Sequence, residues 1–166
     1  MHIRRAEERD TEKVLDLLRQ VNEIHQKGRP DIFRLGTKYT ADELAAIFAD
    51  EKRPVFVAVE DVDGVDTVLG YAFCIIEDHT DDKILTDIKT LYIDDLCVDE
   101  TRRGGGIGSA LFHHVTEYAK EIGCYNVTLN VWCLNPGAMG FYDRLGMRPM
   151  KIYMETVISD GENEKS

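Results

Sequence analysis

A glycine-rich loop is the first segment of this 166-residue chain whose residue types indicate binding chemistry. It covers residues 101–108, with two arginines followed by three consecutive glycines. Glycine lets the backbone approach a ligand closely and adopt positive φ angles. The residues after the loop predict a helix, whose first amides and positive dipole end bind phosphate oxygens. The loop therefore predicts a pyrophosphate cradle, with a flexible glycine turn as the alternative.

Two common nucleotide motifs do not fit this loop. A nucleotide-binding P-loop needs Lys followed by Ser or Thr after its final glycine, whereas Gly108 is followed by Ser109 and Ala110. A dinucleotide fold needs a third glycine five residues after the first, but the six residues from Gly104 end in Ser109. It also needs an early strand–helix–strand unit, and this loop follows several predicted strands. The phosphate ligand must therefore belong to another class.

An acidic pair is the second feature that carries chemistry. Asp94 and Asp95 stand together in the apolar segment Tyr-Ile-Asp-Asp-Leu, although Asp is depleted in strands. Alternation along a strand predicts that the two side chains point to opposite faces. Such carboxylates are candidates for acid–base chemistry, and pairing with a nearby arginine is the structural alternative.

Hydrophobic periodicity and turn residues predict the elements that must position these groups. The first predicted helix starts at Asp10 or Thr11 and ends near Gly28, and the second starts at Thr40, with Glu43 completing a capping box. The third covers residues 109–122, and the fourth runs from the Asn135 cap to about Gly146. The predicted strands cover residues 2–6, 54–60, 68–77, 86–98, 127–132 and 150–158, with a hairpin turn at Asp63-Gly64. This order predicts a single α/β domain around a mixed sheet.

The composition of the chain restricts the classes of partner that it is expected to bind. The net charge of −11 opposes nucleic-acid binding and favours cationic partners, although acidity also serves solubility. No apolar run is long enough to span a membrane, and the charged N-terminus resembles no secretion signal. The four cysteines (Cys74, Cys97, Cys124, Cys133) are scattered, which predicts reduced thiols, a cytoplasmic protein and no metal site.

Two segments resemble the GNAT superfamily of acetyl-CoA-dependent N-acetyltransferases. Residues 96–111 (LCVDETRRGGGIGSAL) resemble its coenzyme A segment, with an R-x-x-G-x-G loop at Arg103, Gly106 and Gly108. Residues 135–147 (NPGAMGFYDRLGM) resemble its N-x-x-A-x-x-F-Y-x-x-L-G helix. The resemblance implies the α/β GNAT fold as one domain over residues 1–158. It implies a mixed, mostly antiparallel sheet flanked by helices, with splayed parallel strands at 91–98 and 127–132. Residues 159–166 are expected to form a disordered polar tail.

The resemblance also implies where the cofactor lies. Acetyl-CoA would enter the gap between the splayed strands, and its pantetheine would pair with the first of these strands as an added strand does. The residues implied in cofactor binding are Leu96, Cys97, Val98, Arg103, Gly104, Gly105, Gly106, Ile107, Gly108, Ser109 and Asn135. Arg102 is a weaker candidate, because its side chain can simply face solvent.

The catalytic roles follow from the same resemblance. Tyr142 would donate a proton to the coenzyme A sulfur, and without the motif it would be interpreted as a packed core aromatic. Asp94 would be the base or the anchor for the amine, directly or through water, with Asp95 second. Some relatives carry a glutamate base on the later strand, where this chain has Asn130, and an amide cannot act as a base. Candidate substrate contacts on or after the first helix are His25, Arg29, Asp31 and Phe33.

The sequence therefore predicts an enzyme that transfers an acetyl group from acetyl-CoA to a primary amine in a ternary complex. The amine is expected to be cationic and to belong to a small molecule, peptide or protein, without metal, nucleic acid or membrane involvement. A possible homodimer is implied by the family. A covalent route through Cys97 ranks low, because no activating histidine lies nearby in sequence. The alternative function is a coenzyme A-binding sensor without turnover.

Overall fold

The computed structural model describes residues 1–158, so the predicted tail at 159–166 lies outside the described residues. The chain divides into two compact units, residues 1–134 and the C-terminal residues from Asn135 onward. The first unit contains the strands β1 (His2–Arg5), β2 (Val55–Val62), β3 (Val65–Asp78), β4 (Lys89–Val98) and β5 (Asn126–Leu129). Its helices are α1 (Thr11–Gly28), α2 (Ala41–Phe48) and α3 (Ile107–Glu121).

The five strands form one mixed sheet in the order β1-β2-β3-β4-β5. The first four pair antiparallel, and β5 pairs parallel to β4. The β2–β3 hairpin turns at Asp63 and Gly64, whose φ angles of 54° and 82° are both left-handed, as the predicted Asp-Gly turn requires. The mixed, mostly antiparallel sheet of the sequence prediction is thus confirmed.

Helices cover both faces of this sheet. Val55, Val57 and Val59 of β2 belong to the buried cluster under α1 and α2. Phe56, the intervening residue, packs edge-to-face against Tyr118 of α3 at a centroid separation of 5.1 Å. Because alternate strand residues point to opposite faces, α3 lies on the other side of the sheet. The predicted capping box is present on α2, where Thr40 Oγ1 accepts from the Glu43 amide at 3.2 Å.

The second unit contains α4 (Pro136–Arg144). The side chain of Asn135 accepts a hydrogen bond from the amide of Ala138 at 3.0 Å, so the predicted cap with proline at the first helical position is confirmed. The predicted closing strand at 150–158 is wrong, because residues 148–158 form neither helix nor strand. Their apolar residues alternate as in a strand, yet a strand requires a hydrogen-bonded neighbour.

None of the helices within residues 1–158 combines the length and the apolarity needed to cross a membrane.

Candidate functional site

The two parallel strands separate along their length. Residues 90–93 of β4 pair with 126–129 of β5, and β4 then continues to Val98 without β5 beside it. The predicted splayed pair is therefore present. β5 ends at Leu129, three residues earlier than the sequence pattern predicts. The segment 94–98 consequently has an edge that no described strand covers.

A β-bulge marks the point where the strands diverge. Phe73 of β3 pairs with Asp95, whereas the next residue, Cys74, pairs with Ile93, so Asp94 is the extra residue. A bulge bends its strand and interrupts the alternation of side chains. The prediction that Asp94 and Asp95 point to opposite faces is wrong for this reason. Asp94 bonds to Lys38, from the segment between α1 and α2, and Asp95 bonds to Tyr71 of the cluster under these helices, so both carboxylates lie on that side.

The free edge of β4 offers peptide groups at two positions. The amide of Asp99 donates to the Leu69 carbonyl at 2.9 Å, on the β3 side. Because peptide orientation alternates along an antiparallel pair, Leu96 and Val98 direct their N–H and C=O groups to the opposite edge. Cys97 instead turns its peptide toward β3 and its buried side chain toward α1, with Sγ 3.9 Å from the Leu17 carbonyl. Of these three predicted residues, Leu96 and Val98 therefore have the accessible peptides.

The glycine loop leads directly from this edge into α3. Gly104 and Gly106 have φ angles of 83° and 77°, and a Cβ added at either would meet no atom within 4 Å. Gly106 caps α3 without a side chain, so the first amides of the helix, at Ile107, Gly108 and Ser109, have no intrahelical acceptor. Their dipole favours an anion at this helix end.

The two arginines of the loop have different surroundings. Arg103 Nε donates to the Val98 carbonyl at 3.3 Å, which places its guanidinium beside the free edge of β4. Arg102 forms an ion pair with Glu60 on β2, and this pairing lowers the pKa of Glu60. Arg102 is therefore held at the sheet surface, whereas Arg103 lies next to the candidate cofactor site.

Asp95 has the environment of a base that can titrate. Its carboxylate accepts a hydrogen bond from the buried Tyr71 hydroxyl at 2.8 Å. Burial raises the pKa of Asp95 to about 6, against the opposing effects of the Tyr71 hydrogen bond and of Lys38. Burial and the neighbouring carboxylate raise the pKa of Tyr71 well above its usual value, so Tyr71 remains a neutral donor. The carboxylate can therefore exchange a proton near neutral pH.

Asp94 binds an ammonium group of its own chain. Lys38 Nζ lies 2.6 Å from Asp94 Oδ2, with 44% of the Lys38 side chain exposed. The carboxylate partners raise the pKa of Lys38, although burial, the largest single influence, opposes this. The arginine pairing considered from sequence is replaced by a lysine from the segment before α2. Asp94 is thus shown to hold a primary ammonium group.

Three aromatic rings distant in sequence meet on the same side of the sheet. His25 at the end of α1 lies 5.0 Å from Phe33 in the following loop, measured between ring centroids. Trp132, after β5, lies 5.2 Å from Phe33 and 6.3 Å from His25. Burial and, secondarily, the Lys38 ammonium lower the pKa of His25, which keeps the imidazole neutral. Sequence reasoning did not include Trp132 among the candidate substrate contacts. The sequence feature that could have indicated it is that it is the one tryptophan in the chain.

The other candidate substrate contacts are placed differently. Arg29 forms a two-pronged ion pair with Asp31, with Nε–Oδ1 and Nη2–Oδ2 distances of 2.9 and 2.8 Å. This ion pair links Arg29 to Asp31 within the loop after α1. The side chain of Asn130 donates to the Tyr92 hydroxyl at 3.0 Å, so the position of the relatives' glutamate base carries an amide-to-phenol hydrogen bond.

Gly70 on β3 is a positioning residue that sequence reasoning missed. A Cβ at this position would lie 2.6 Å from the Cys97 carbonyl oxygen and 3.3 Å from Leu111 Cδ1 of α3. Glycine is therefore required for β3, β4 and α3 to approach one another beside the free edge. A glycine inside an apolar strand pattern was the available signal.

In the second unit, the two remaining predicted residues lie on one helix. Asn135 caps α4 with its side chain. Tyr142 is partly buried on the same helix, and its ring packs edge-to-face with Phe141 at 4.9 Å between centroids. The packed-aromatic interpretation therefore agrees with the structure, and the catalytic role of Tyr142 stays a prediction.

Cys97 is expected to be chemically inert. Burial raises the pKa of its thiol to about 12, so almost no thiolate forms at neutral pH. Replacing Cys97 by Ala should leave kcat within about threefold of the original value, since no covalent step passes through an unreactive thiol. Thiol release from acetyl-CoA measures this effect. Loss of all turnover with acetyl-CoA binding intact would contradict it. Exposed Cys133 serves as the internal control for alkylation, and iodoacetamide should modify it first.

Comparison with known proteins agrees with this geometry. The family model for the acetyltransferase (GNAT) family matches residues 18–147. The mutant BH1408 protein of Bacillus halodurans, a solved structure, superimposes with a TM-score of 0.89 at 37% identity, covering 96% of this chain and all of that one.

Two curated relatives match with different coverage. The probable glucosamine 6-phosphate N-acetyltransferase 2 of Oryza sativa subsp. japonica is 30% identical over 160 residues, which covers 93% of this chain and 86% of the relative. The uncharacterized N-acetyltransferase MJ1207 of Methanocaldococcus jannaschii is 43% identical over 60 residues, and the match spans 36% of this chain and 26% of that protein. With the splayed strands, the glycine loop and these matches together, the chain belongs to the acetyltransferase (GNAT) family.

Proposed function

We propose that this protein transfers the acetyl group of acetyl-CoA to a primary amine by direct attack in a ternary complex. The observation that carries the proposal is the continuous run from the free edge of β4 into the glycine loop and α3. This edge suits the amide groups of an extended pantetheine arm. The loop at its end suits a pyrophosphate. The family generally uses acetyl-CoA as its co-substrate.

The residues present fit coenzyme A at both ends of this run. The peptides of Leu96 and Val98 supply strand-type hydrogen bonds. The amides of residues 104–109, the positive end of α3 and the Arg103 guanidinium supply the charge that phosphates need. Asn135 is assigned to the pantetheine by its place in the family motif.

Asp94 is the proposed anchor for the acceptor. A primary ammonium already occupies it in the form of Lys38, so an incoming ammonium has to compete with Lys38 for the same oxygen atoms. An ion pair that solvent still reaches, as it does here, contributes about 1 kcal/mol, so the exchange costs little. The rings of His25, Phe33 and Trp132 offer faces for an apolar part or a second cationic group of the acceptor.

Asp95 is the proposed base and Tyr142 the proposed acid. This reverses the order expected from sequence, since Asp94 is held by Lys38 while Asp95 titrates near neutral pH. Asp95 takes a proton from the ammonium, directly or through water. The neutral amine then attacks the thioester carbonyl, the N–C bond forms and the C–S bond breaks. The Tyr142 hydroxyl gives its proton to the departing sulfur, the new amide nitrogen loses its second proton to solvent, and the Tyr142 phenolate regains a proton from solvent.

A thiol-release assay with acetyl-CoA tests the proposal. The amine panel includes glucosamine 6-phosphate, because the rice relative's name gives that acceptor, together with polyamines, aminoglycosides, lysine analogues and peptide N-termini. Release that depends on one acceptor class supports the enzyme. Binding of acetyl-CoA without release for any amine supports the sensor, the alternative function.

The glycine loop provides a separate binding test. Gly106→Ala is expected to weaken acetyl-CoA binding about tenfold or more, because a Cβ opposes the left-handed φ of 77° that aims the first α3 amides at the phosphates. Isothermal titration calorimetry measures the change in Kd. Gly64→Ala is the matched control, since Gly64 has a φ of 82° in the β2–β3 turn, away from the loop. Equal weakening in both variants would contradict a role for the loop.

A further inference from the structure

Lys38 already lies where the acceptor amine is proposed to bind. Its Nζ atom is 2.6 Å from Asp94 Oδ2, and the same atom lies 5.5 Å from the centroid of the Tyr39 ring. The two contacts hold the end of a long side chain at one place beside the free edge of β4. An amine that is held next to a reactive group reacts far faster than one that must diffuse to it.

The direction of the cofactor run places the thioester near Lys38, and this step rests on the proposed function. There the glycine loop after Val98 holds the pyrophosphate, and the pantetheine arm extends back along residues 96–98. The reactive end of acetyl-CoA then lies toward Asp94 and Asp95, where β5 no longer pairs with β4. The Lys38 amine and the thioester are therefore expected at the same end of the free edge.

Asp95 provides a proton acceptor at this end. The Tyr71 hydroxyl donates to its carboxylate at 2.8 Å and so fixes its position. Burial raises the pKa of Asp95 to about 6, and the Tyr71 hydrogen bond and the Lys38 ammonium oppose this rise. An ammonium group must lose a proton before its nitrogen can attack a carbonyl, and Asp95 is suited to take it.

We propose that Lys38 is a self-acetylation site, at which the enzyme transfers one acetyl group from acetyl-CoA to Nζ of its own chain. Asp95 takes one proton from the ammonium, the N–C bond forms and the C–S bond of the thioester breaks. The new amide nitrogen loses its second proton to solvent, and the departing sulfur takes up one proton. The products are an uncharged acetyl-lysine and free coenzyme A, so each chain reacts once.

Lys13 offers a matched comparison within the same chain. Its Nζ atom lies 2.6 Å from Asp99 Oδ2, and 36% of its side chain is exposed, against 44% for Lys38. Asp99 follows Val98, at the opposite end of the free edge and beside the loop proposed for the pyrophosphate. The two lysines are therefore similar in ion pairing and exposure and differ in position along the cofactor run. Lys120 on α3, with 71% of its side chain exposed, measures uncatalysed acetylation.

Incubation of the full chain with acetyl-CoA and no added amine tests the proposal, with intact-mass and peptide mass spectrometry as the readout. Lys38 should gain an acetyl group at least about tenfold faster than Lys13 or Lys120, because its amine is positioned toward the thioester. The Asp95→Asn chain should lose this advantage, since it lacks the base. Equal rates at the three lysines, or no acetylation of Lys38, would overturn the proposal.

A mixing experiment shows whether the transfer occurs within one chain. The Lys38→Arg enzyme keeps the base and a cation beside Asp94, whereas the Asp95→Asn chain keeps Lys38 without the base. In a mixture of the two, Lys38 of the Asp95→Asn chain should stay unmodified. Its acetylation at the rate of the unaltered protein would mean transfer between chains and would overturn the proposal. Far-UV circular dichroism confirms that each variant is folded.

The thiol-release assay separates this inference from the proposed function. Release with an added amine while Lys38 stays unmodified would overturn self-acetylation and leave the proposed function standing. Absence of both release and Lys38 acetylation would overturn the two together.

Discussion

Asp95→Asn is expected to lower kcat by about 10²–10⁴-fold while leaving the affinity for acetyl-CoA unchanged. The carboxylate lies beside the bulge where β4 leaves β5, with Tyr71 bonded to one oxygen atom. Asparagine keeps an acceptor for the Tyr71 hydroxyl and has nearly the same volume. It cannot take a proton from the amine. The variant therefore removes the base and preserves the surrounding contacts.

The pH profile distinguishes a base from a structural residue. Burial raises the pKa of Asp95 to about 6, so the base is protonated and inactive below that pH. The kcat of the unaltered enzyme should rise with pH through about 6 and then level off. The Asp95→Asn enzyme should lack this rise. An unchanged profile in the variant would mean that another group provides the titration.

Asp94→Asn is the matched comparison, because it changes the adjacent carboxylate in the same way. Asp94 holds Lys38 and is proposed to hold the acceptor, so its removal should raise KM for the amine more than it lowers kcat. Steady-state kinetics with the acceptor found in the thiol-release assay separate the two effects. The assignment fails if Asp94→Asn abolishes kcat and Asp95→Asn does not.

The same raised pKa has a consequence for stability. In the folded protein Asp95 holds its proton up to about pH 6, whereas the ordinary pKa of an aspartate side chain is 3.8. Between these values the folded state binds more protons than the unfolded state, so this group's contribution to stability decreases as pH rises. Asp95→Asn should therefore be more stable by about 1–3 kcal/mol at pH 8, a range that allows for partial solvent access. The gain should vanish near pH 4, as thermal unfolding at both pH values would show.

Local sequence patterns were sufficient to predict most of the fold. The helix caps at Thr40 and Asn135 and the Asp63-Gly64 turn are formed by side chains and backbone within a few residues, so the sequence specifies them directly. The glycine loop was predictable for the same reason. Its positive φ angles and its junction with α3 follow from adjacent residues.

Contacts between distant segments could not be predicted. The bulge at Asp94 depends on the register between β3 and β4, and no residue type within β4 predicts it. Lys38 reaches Asp94 across 56 positions, and Trp132 joins His25 through the approach of the post-β5 segment to α1. The alternation in residues 150–158 predicted a strand that the structure does not contain, because alternation alone does not state which strand would be its neighbour.

Tyr142→Phe is expected to lower kcat by about 10²–10³-fold near neutral pH, with the Kd of acetyl-CoA unchanged. Phenylalanine preserves the edge-to-face packing with Phe141 on α4 and removes only the hydroxyl. A thiol has a pKa of about 8.5, so above that pH the sulfur can depart as a stable thiolate without a proton donor. The deficit should therefore narrow as pH rises past about 8.5, which a kcat profile of the two enzymes measures.

The control for Tyr142 is Tyr125→Phe, which removes a hydroxyl from a tyrosine that is 76% exposed and outside the glycine loop. This variant should keep full activity. Unchanged kinetics in the Tyr142→Phe enzyme would refute the role of Tyr142 as proton donor. The ring would then serve only in the packing of α4. The outcome also bears on the function itself, because a sensor needs no proton donor for a sulfur that never departs. A pH-dependent loss of kcat on removal of the Tyr142 hydroxyl would therefore support the enzyme over the sensor.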